Sequence, residues 1–220
     1  SKKTEMFQLN DLRSNVQHWG VSPFSRARYR NLKLPEQTQN HHHDYGDTQM
    51  KYNTIIVLDF GGQYCHLIGR GIREHGVYSE IVAPDITPVE IKTMREKLDI
   101  KGIILSGGPS SVYEPNAPRL NSRILETDLP ILGLCYGHQL IAQISNGKVE
   151  PASCKEYGTT KVTVDKAVAV LKGLGAEEKV WMSHGDTVYA MPHQFEVLAH
   201  TENCPIAAFR HKQKPIYGLQ

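Results

Sequence analysis

An α/β fold with a doubly wound, mostly parallel sheet and an antiparallel extension is the architecture this sequence predicts. Three observations lead there. From Thr54 onward, short apolar β-rich runs alternate with segments of helical period. The connections between them are short, as crossover units of a parallel sheet allow. Beyond Pro151 the helical periods fade and only short strand patterns follow, as an antiparallel addition to the sheet would show.

Taken in order, residues 54–58 (Thr-Ile-Ile-Val-Leu) form a continuous apolar run, suited to a strand covered on both faces. Gly61 and Gly62 lead into a helix that sets Tyr64, Leu67, Ile68 and Ile72 on one face. Residues 77–82 are a second strand, and 88–98 a second helix with Val89, Ile91 and Met94 turned inward. Residues 102–105 and 131–134 supply the third and fourth strands, and a helix covers 137–145. Shorter strands are expected at 159–164, 180–183, 196–200, 207–209 and 216–219. Residues 1–52 differ in character: rich in Arg, Asn, Gln and Ser, they show no sustained apolar period. They are expected to form a disordered or loosely attached N-terminal extension. Its basic run Arg26-Ala-Arg-Tyr-Arg30 reads as a solvated tail, and its His41-His-His-Asp44 stretch is assigned no metal site.

Bulk properties narrow the function classes. A chain of 220 residues has room for one sizeable domain and a tail. A net charge of +2 calls for neither nucleic acid nor an anionic membrane. No apolar run approaches the ~20 residues that span a bilayer, and the N-terminus lacks the hydrophobic core of a secretory signal. The cysteines at 65, 135, 154 and 204 form no Cys-x-x-Cys pair, which argues against a zinc ribbon or a disulfide framework. A cytoplasmic, reducing setting is expected.

The most informative stretch is Pro130-Ile-Leu-Gly-Leu-Cys135-Tyr-Gly-His-Gln139. An apolar run ends at a cysteine just where a helix begins. Such a turn lifts the cysteine above the sheet edge, beside the free N–H groups of the helix N-terminus. The helix dipole is then expected to push the thiol toward thiolate, which is the nucleophilic form. The loop Ser106-Gly107-Gly108-Pro109 follows the third strand and would meet this elbow at the carboxyl ends of the strands, where open sheets bind ligands. Ser106 to Ser111 also looks like a phosphate-cradling loop, but it lacks the acidic residue such loops carry for metal binding.

Gly133-Leu-Cys-Tyr-Gly-His-Gln139 resembles the nucleophile motif of the class I (triad-type) glutamine amidotransferases. Three further blocks resemble the amidotransferase domains of the GMP synthase family: Leu58-Asp-Phe-Gly-Gly-Gln-Tyr64, Leu105-Ser-Gly-Gly-Pro-Ser-Ser111 and Trp181-Met-Ser-His-Gly-Asp186. The resemblance covers residues 53–220 and implies a flavodoxin-like sheet and a glutaminase. It implies Cys135 as nucleophile and the backbone N–H groups of Gly108 and Tyr136 as oxyanion donors. Gln139, Ser183, His184 and Asp186 would bind glutamine, the last three from a loop after a strand, with Asp186 pairing with the substrate ammonium. Gln63 is a weaker candidate near the same sheet edge. No cofactor or metal is implied in this domain; ATP and Mg²⁺ belong to a separate synthetase domain of the ATP pyrophosphatase kind, which aminates XMP to GMP. The partners implied are glutamine, that synthetase domain and a second copy joined through a further C-terminal region, with neither nucleic acid nor membrane.

In that family the general base and its carboxylate lie in a Phe-His-Pro-Glu segment directly after a strand like Pro215-Ile-Tyr-Gly-Leu-Gln220. The sequence stops at Gln220, so the expectation is a domain incomplete at its C-terminus and nearly inert as a glutaminase on its own. Two other readings stay open at this point: a non-catalytic amidotransferase relative that only binds, and a cysteine hydrolase that shares the elbow but needs neither Gln139 nor Ser183–Asp186.

Overall fold

Strand β1 (Asn53–Leu58) shows why this chain builds a covered sheet: Ile56, Val57 and Leu58 are entirely buried. The computed structural model describes residues 51–220, so the expectation of an N-terminal extension falls almost wholly outside the described residues. Strand β1 pairs in parallel with β2 (Tyr78–Val82) on one side and β3 (Asp99–Leu105) on the other. Beyond β3 come β4 (Ile131–Leu134) and β9 (Ile216–Leu219), both parallel. The order continues through β8 (Ala208–His211), β7 (Phe195–His200), β5 (Lys148–Val164) and β6 (Glu177–Ala190), all antiparallel to their neighbours. The five parallel strands, in order β2-β1-β3-β4-β9, give the expected flavodoxin-like sheet. Its fifth position is taken by the last strand because the chain first runs out through the antiparallel extension.

Helix α1 (Cys65–Glu74) buries Cys65, Gly69 and Gly71 rather than Tyr64, which caps the helix and is half-exposed. Gly69 lets β2 approach closely, and the Ser79 hydroxyl donates to the Gly69 carbonyl at 2.8 Å. Helix α2 (Pro88–Met94) opens with a capping box, Thr87 and Glu90 each satisfying the other's backbone N–H, which contributes about 1 kcal/mol. Ile91 is buried and Met94 packs on the core as expected, but Val89 is 73% exposed. A seven-residue helix offers one inward stripe, and a residue two positions from Ile91 falls on the opposite side. Helix α3 (Tyr136–Ile144) is buried from Tyr136 to Ala142.

The extension differs most from expectation. The separate strands expected at 159–164 and 180–183 are parts of one long pair, β5 with 17 residues and β6 with 14. Their register jumps from Pro151↔Asp186 to Glu156↔His184, so residues 152–155 of β5 bulge opposite Gly185 alone. Ser183-His184-Gly185-Asp186 therefore lies within β6, not in a loop after a strand.

Candidate active site

Cys135 stands between β4 and α3 with φ 49° and ψ −104°, a left-handed backbone that a non-glycine residue adopts only under local constraint, at about 1–3 kcal/mol. The constraint is visible. Its N–H donates to the Leu219 carbonyl of β9 at 2.8 Å, and its carbonyl accepts from the Gln139 N–H at 3.0 Å. Two glycines allow the turn. A Cβ on Gly133 would lie 2.5 Å from the Gly137 oxygen, and one on Gly137 would lie 2.5 Å from the Leu105 oxygen. Helix α3 can press against the ends of β3 and β4 only because both side chains are absent.

The thiol is partly buried and sits 4.0 Å from the Ser183 carbonyl. Burial pushes its pKa above the ordinary thiol value; the Tyr136 backbone N–H and the Gln220 amide pull it down, and the Asp186 charge adds to the rise. The sequence-based expectation of a depressed pKa is thus reversed, because desolvation of the thiolate outweighs the donors at the helix N-terminus.

The loop after β3 lies against the elbow. A Cβ on Gly107 would be 3.6 Å from the Cys135 Cβ, and one on Gly108 would be 2.6 Å from the Phe60 oxygen. The turn after β1 backs this loop: the Phe60 N–H donates to the Ser106 hydroxyl at 3.1 Å and the Gly62 N–H to the Gly107 carbonyl at 3.1 Å. Tyr136 opens α3 with its ring against Phe60 and its hydroxyl donating to the Pro118 carbonyl at 2.7 Å. Gly107 and the Tyr136 N–H therefore border Cys135, while Gly108, one residue further along the loop, packs on Phe60. Gln63 lies exposed just ahead of α1.

The glutamine-binding candidates divide into two groups. Gln139 is 3% exposed, and its amide donates to the Asp186 carbonyl at 3.2 Å and to the Gln220 side-chain oxygen at 3.0 Å. The Asp186 carboxylate accepts from the Tyr113 hydroxyl at 2.8 Å. Gln139, Ser183 and Asp186 are thus gathered around Cys135 from α3 and β6. His184 is not. It is 4% exposed, with Nε2 2.9 Å from the Glu156 carboxylate and Nδ1 2.9 Å from the Asp186 carbonyl. Strand alternation turns it inward with Met182, while Trp181 and Ser183 face out.

Sequence reasoning missed Gln220, Tyr113 and Glu156. Gln220 was findable by the rule that selected Cys135, since it leaves the carboxyl end of a parallel strand. Tyr113 follows the Ser-Gly-Gly-Pro loop but carries no pattern of its own, and Glu156 meets His184 only through strand register. Glu156, His184 and Cys204 also bring their donor atoms within 4.8 Å of one another, a set whose chemistry suits zinc. Their polar atoms already have partners: Thr201 and His184 on Glu156, and the Thr187 hydroxyl on the Cys204 sulfur at 3.0 Å.

Comparison with known proteins gives a consistent result. Residues 56–220 match the family Glutamine amidotransferase class-I. A protein named GMP synthase [glutamine-hydrolyzing] from Caldanaerobacter subterraneus subsp. tengcongensis is 51% identical over 171 residues, covering 78% of this chain and 33% of that protein. The protein of the same name from Caldicellulosiruptor saccharolyticus is 52% identical over 171 residues, with the same coverage of 78% and 33%. The chain therefore spans about a third of the length of the curated relatives it matches. The crystal structure of a Thermoplasma acidophilum protein, provisionally assigned as a GMP synthase subunit, superimposes with a TM-score of 0.64 at 32% identity. That match covers 82% of this chain and 84% of the other. A glutamine amidotransferase structure from Thermotoga maritima shares the fold at a TM-score of 0.59 and 18% identity, covering 78% of this chain and 76% of the other.

Proposed function

Since the chain belongs to the class-I glutamine amidotransferases, we propose that residues 53–220 are the glutaminase part of a GMP synthase, hydrolysing glutamine to supply ammonia for the amination of XMP to GMP. The observation that carries this reading is the convergence on one strained cysteine of Gln139 from α3 and Asp186 from β6, joined at 3.2 Å. A glutamine seated there would place its ammonium at the Asp186 carboxylate, its polar end at Gln139 and its side-chain amide at Cys135. The Cys135 sulfur forms a bond to the amide carbon. The negative oxygen that results is held by the N–H groups of Gly108 and Tyr136, and each such donor lowers the barrier by about 3–4 kcal/mol. The thiol proton, taken up by a general base, is delivered to the nitrogen as the C–N bond breaks and ammonia leaves, and water then cleaves the thioester to glutamate and a free thiol. The base and its carboxylate are assigned to the segment that follows β9. The Leu134↔Leu219 register sets the carboxyl end of β9 beside Cys135, where such a segment would pass the thiol.

On this reading ATP and Mg²⁺ serve the synthetase portion represented in the remaining length of the relatives. That portion receives the ammonia, in the cytoplasm, and any homodimer contact lies outside residues 53–220.

A glutamine-like chloroketone tests the assignment. It is expected to label Cys135, with free glutamine protecting it. Cys65, which burial pushes up to about 12, and buried Cys204 should stay unlabelled, while exposed Cys154 serves as the control for indiscriminate alkylation. Preferential label on Cys154, or no protection of Cys135 by glutamine, overturns the proposal.

A further inference from the structure

We propose that the buried Glu156–His184 pair is a brace for the glutamine-binding residues: it fixes the peptide of Asp186, and with it Asp186 and Gln139, without touching substrate. The inference rests on the glutaminase reading for its functional consequence. Its structural part stands on the geometry of β5 and β6.

The need for a brace follows from the register. Asp186 is paired with Pro151, which has no N–H, so the ladder cannot supply a donor to the Asp186 carbonyl from that residue. On the other side of Gly185, residues 152–155 leave the ladder. Strand β6 is thus least supported just where Ser183 faces the thiol and Asp186 faces Tyr113. Two side chains take over. Nδ1 of His184 lies 2.9 Å from the Asp186 carbonyl and the Gln139 amide lies 3.2 Å from it, so both acceptor positions of that oxygen are filled.

A carbonyl can only accept, so Nδ1 of His184 carries a hydrogen. Nε2 then faces the Glu156 carboxylate across 2.9 Å with the two side chains 1% and 4% exposed. That contact is a hydrogen bond only if the pair holds one further proton, as imidazolium with carboxylate or as imidazole with carboxylic acid. Either arrangement keeps the ring orientation. Glu156 is in turn held by the Thr201 hydroxyl at 2.8 Å, and the Thr201 oxygen accepts from the Cys204 N–H at 2.9 Å. A continuous line of hydrogen bonds therefore runs from the turn between β7 and β8, through β5 and β6, to the point where α3 presents Gln139.

The experiment compares Glu156→Gln, Glu156→Leu and His184→Leu with the unaltered chain. A glutamine amide at 156 can donate to Nε2 of neutral His184 and accept from Thr201, so Glu156→Gln should restore the brace. Chloroketone labelling of Cys135 reports KI and the limiting rate separately. The leucine variants are expected to raise KI about tenfold or more, while Glu156→Gln stays within about threefold of the parent. The limiting rate and the reaction with iodoacetamide, which needs no glutamine site, should change little. Hydrogen exchange of residues 183–188 gives a readout independent of glutamine, with protection lost in the leucine variants and retained in Glu156→Gln. Should Glu156→Leu fail to fold, Thr201→Val removes only the outer link and takes its place. Unchanged KI and exchange in the leucine variants, or an equal fall in iodoacetamide reactivity, overturns the brace. A parent chain that resists the chloroketone defeats the glutaminase reading instead, and exchange alone then decides the brace.

Discussion

His138 makes acid the sharpest probe of this fold. It is completely buried, its ring stacks on Phe209 with centroids 4.7 Å apart, and neither ring nitrogen has a hydrogen-bond partner among the described residues. Burial pushes its pKa down from 6.5 to about 3; Gln220 and the Ile206 backbone lie close enough to oppose that shift without reversing it. The folded value is depressed, so the unfolded chain binds a proton that the fold refuses. The contribution is present above pH 6.5 and is lost as pH falls toward 3. One pKa unit corresponds to about 1.4 kcal/mol, so the loss reaches ~2 kcal/mol near about pH 5 and approaches ~5 kcal/mol as an upper bound near the folded pKa. Urea unfolding near about pH 7 and about pH 5 measures it, with His138→Phe as the reference because a phenyl ring keeps the stack on Phe209 and cannot titrate. The parent is expected to lose ~2 kcal/mol more than His138→Phe over that interval. Equal losses in the two proteins would overturn this account, since the proton must then be taken up elsewhere.

Three further outcomes are expected. Gly137→Ala would set a methyl 2.5 Å from the Leu105 oxygen and 2.6 Å from the Leu105 Cβ, so α3 must shift; chloroketone labelling of Cys135 should fall by about a hundredfold with a lowered Tm, as checked by labelling kinetics and thermal melts. Asp186→Ala should weaken glutamine protection of Cys135 by about ten- to a hundredfold through loss of a charge-assisted contact, with the melting temperature little changed. Because burial raises the Cys135 pKa, its alkylation rate should still be climbing above the pH at which a simple thiol free in solution levels off, and Gln220→Ala, which removes a lowering contact, should move the Cys135 profile further up.

The parallel sheet, the position of the elbow and the candidate nucleophile were legible in the order of residues alone. Those signals are local: a continuous apolar run such as residues 54–58 has few other uses than a covered strand, and Gly133 and Gly137 on either side of Cys135 admit a turn that other residues would block. Short helices were less legible, as Val89 shows, because one turn more or less changes which residues face inward. Two site features emerge only when the chain is folded. Desolvation depends on what closes over the thiol, so the rise in the Cys135 pKa could not be read from its place at a helix start. Where His184 points depends on a bulge that sets residues 152–155 against Gly185, and its partner Glu156 lies 28 residues away on another strand. Neighbouring residues along the chain carry no trace of that pairing. Only the register of the assembled sheet turns a histidine from a sequence motif toward a buried carboxylate.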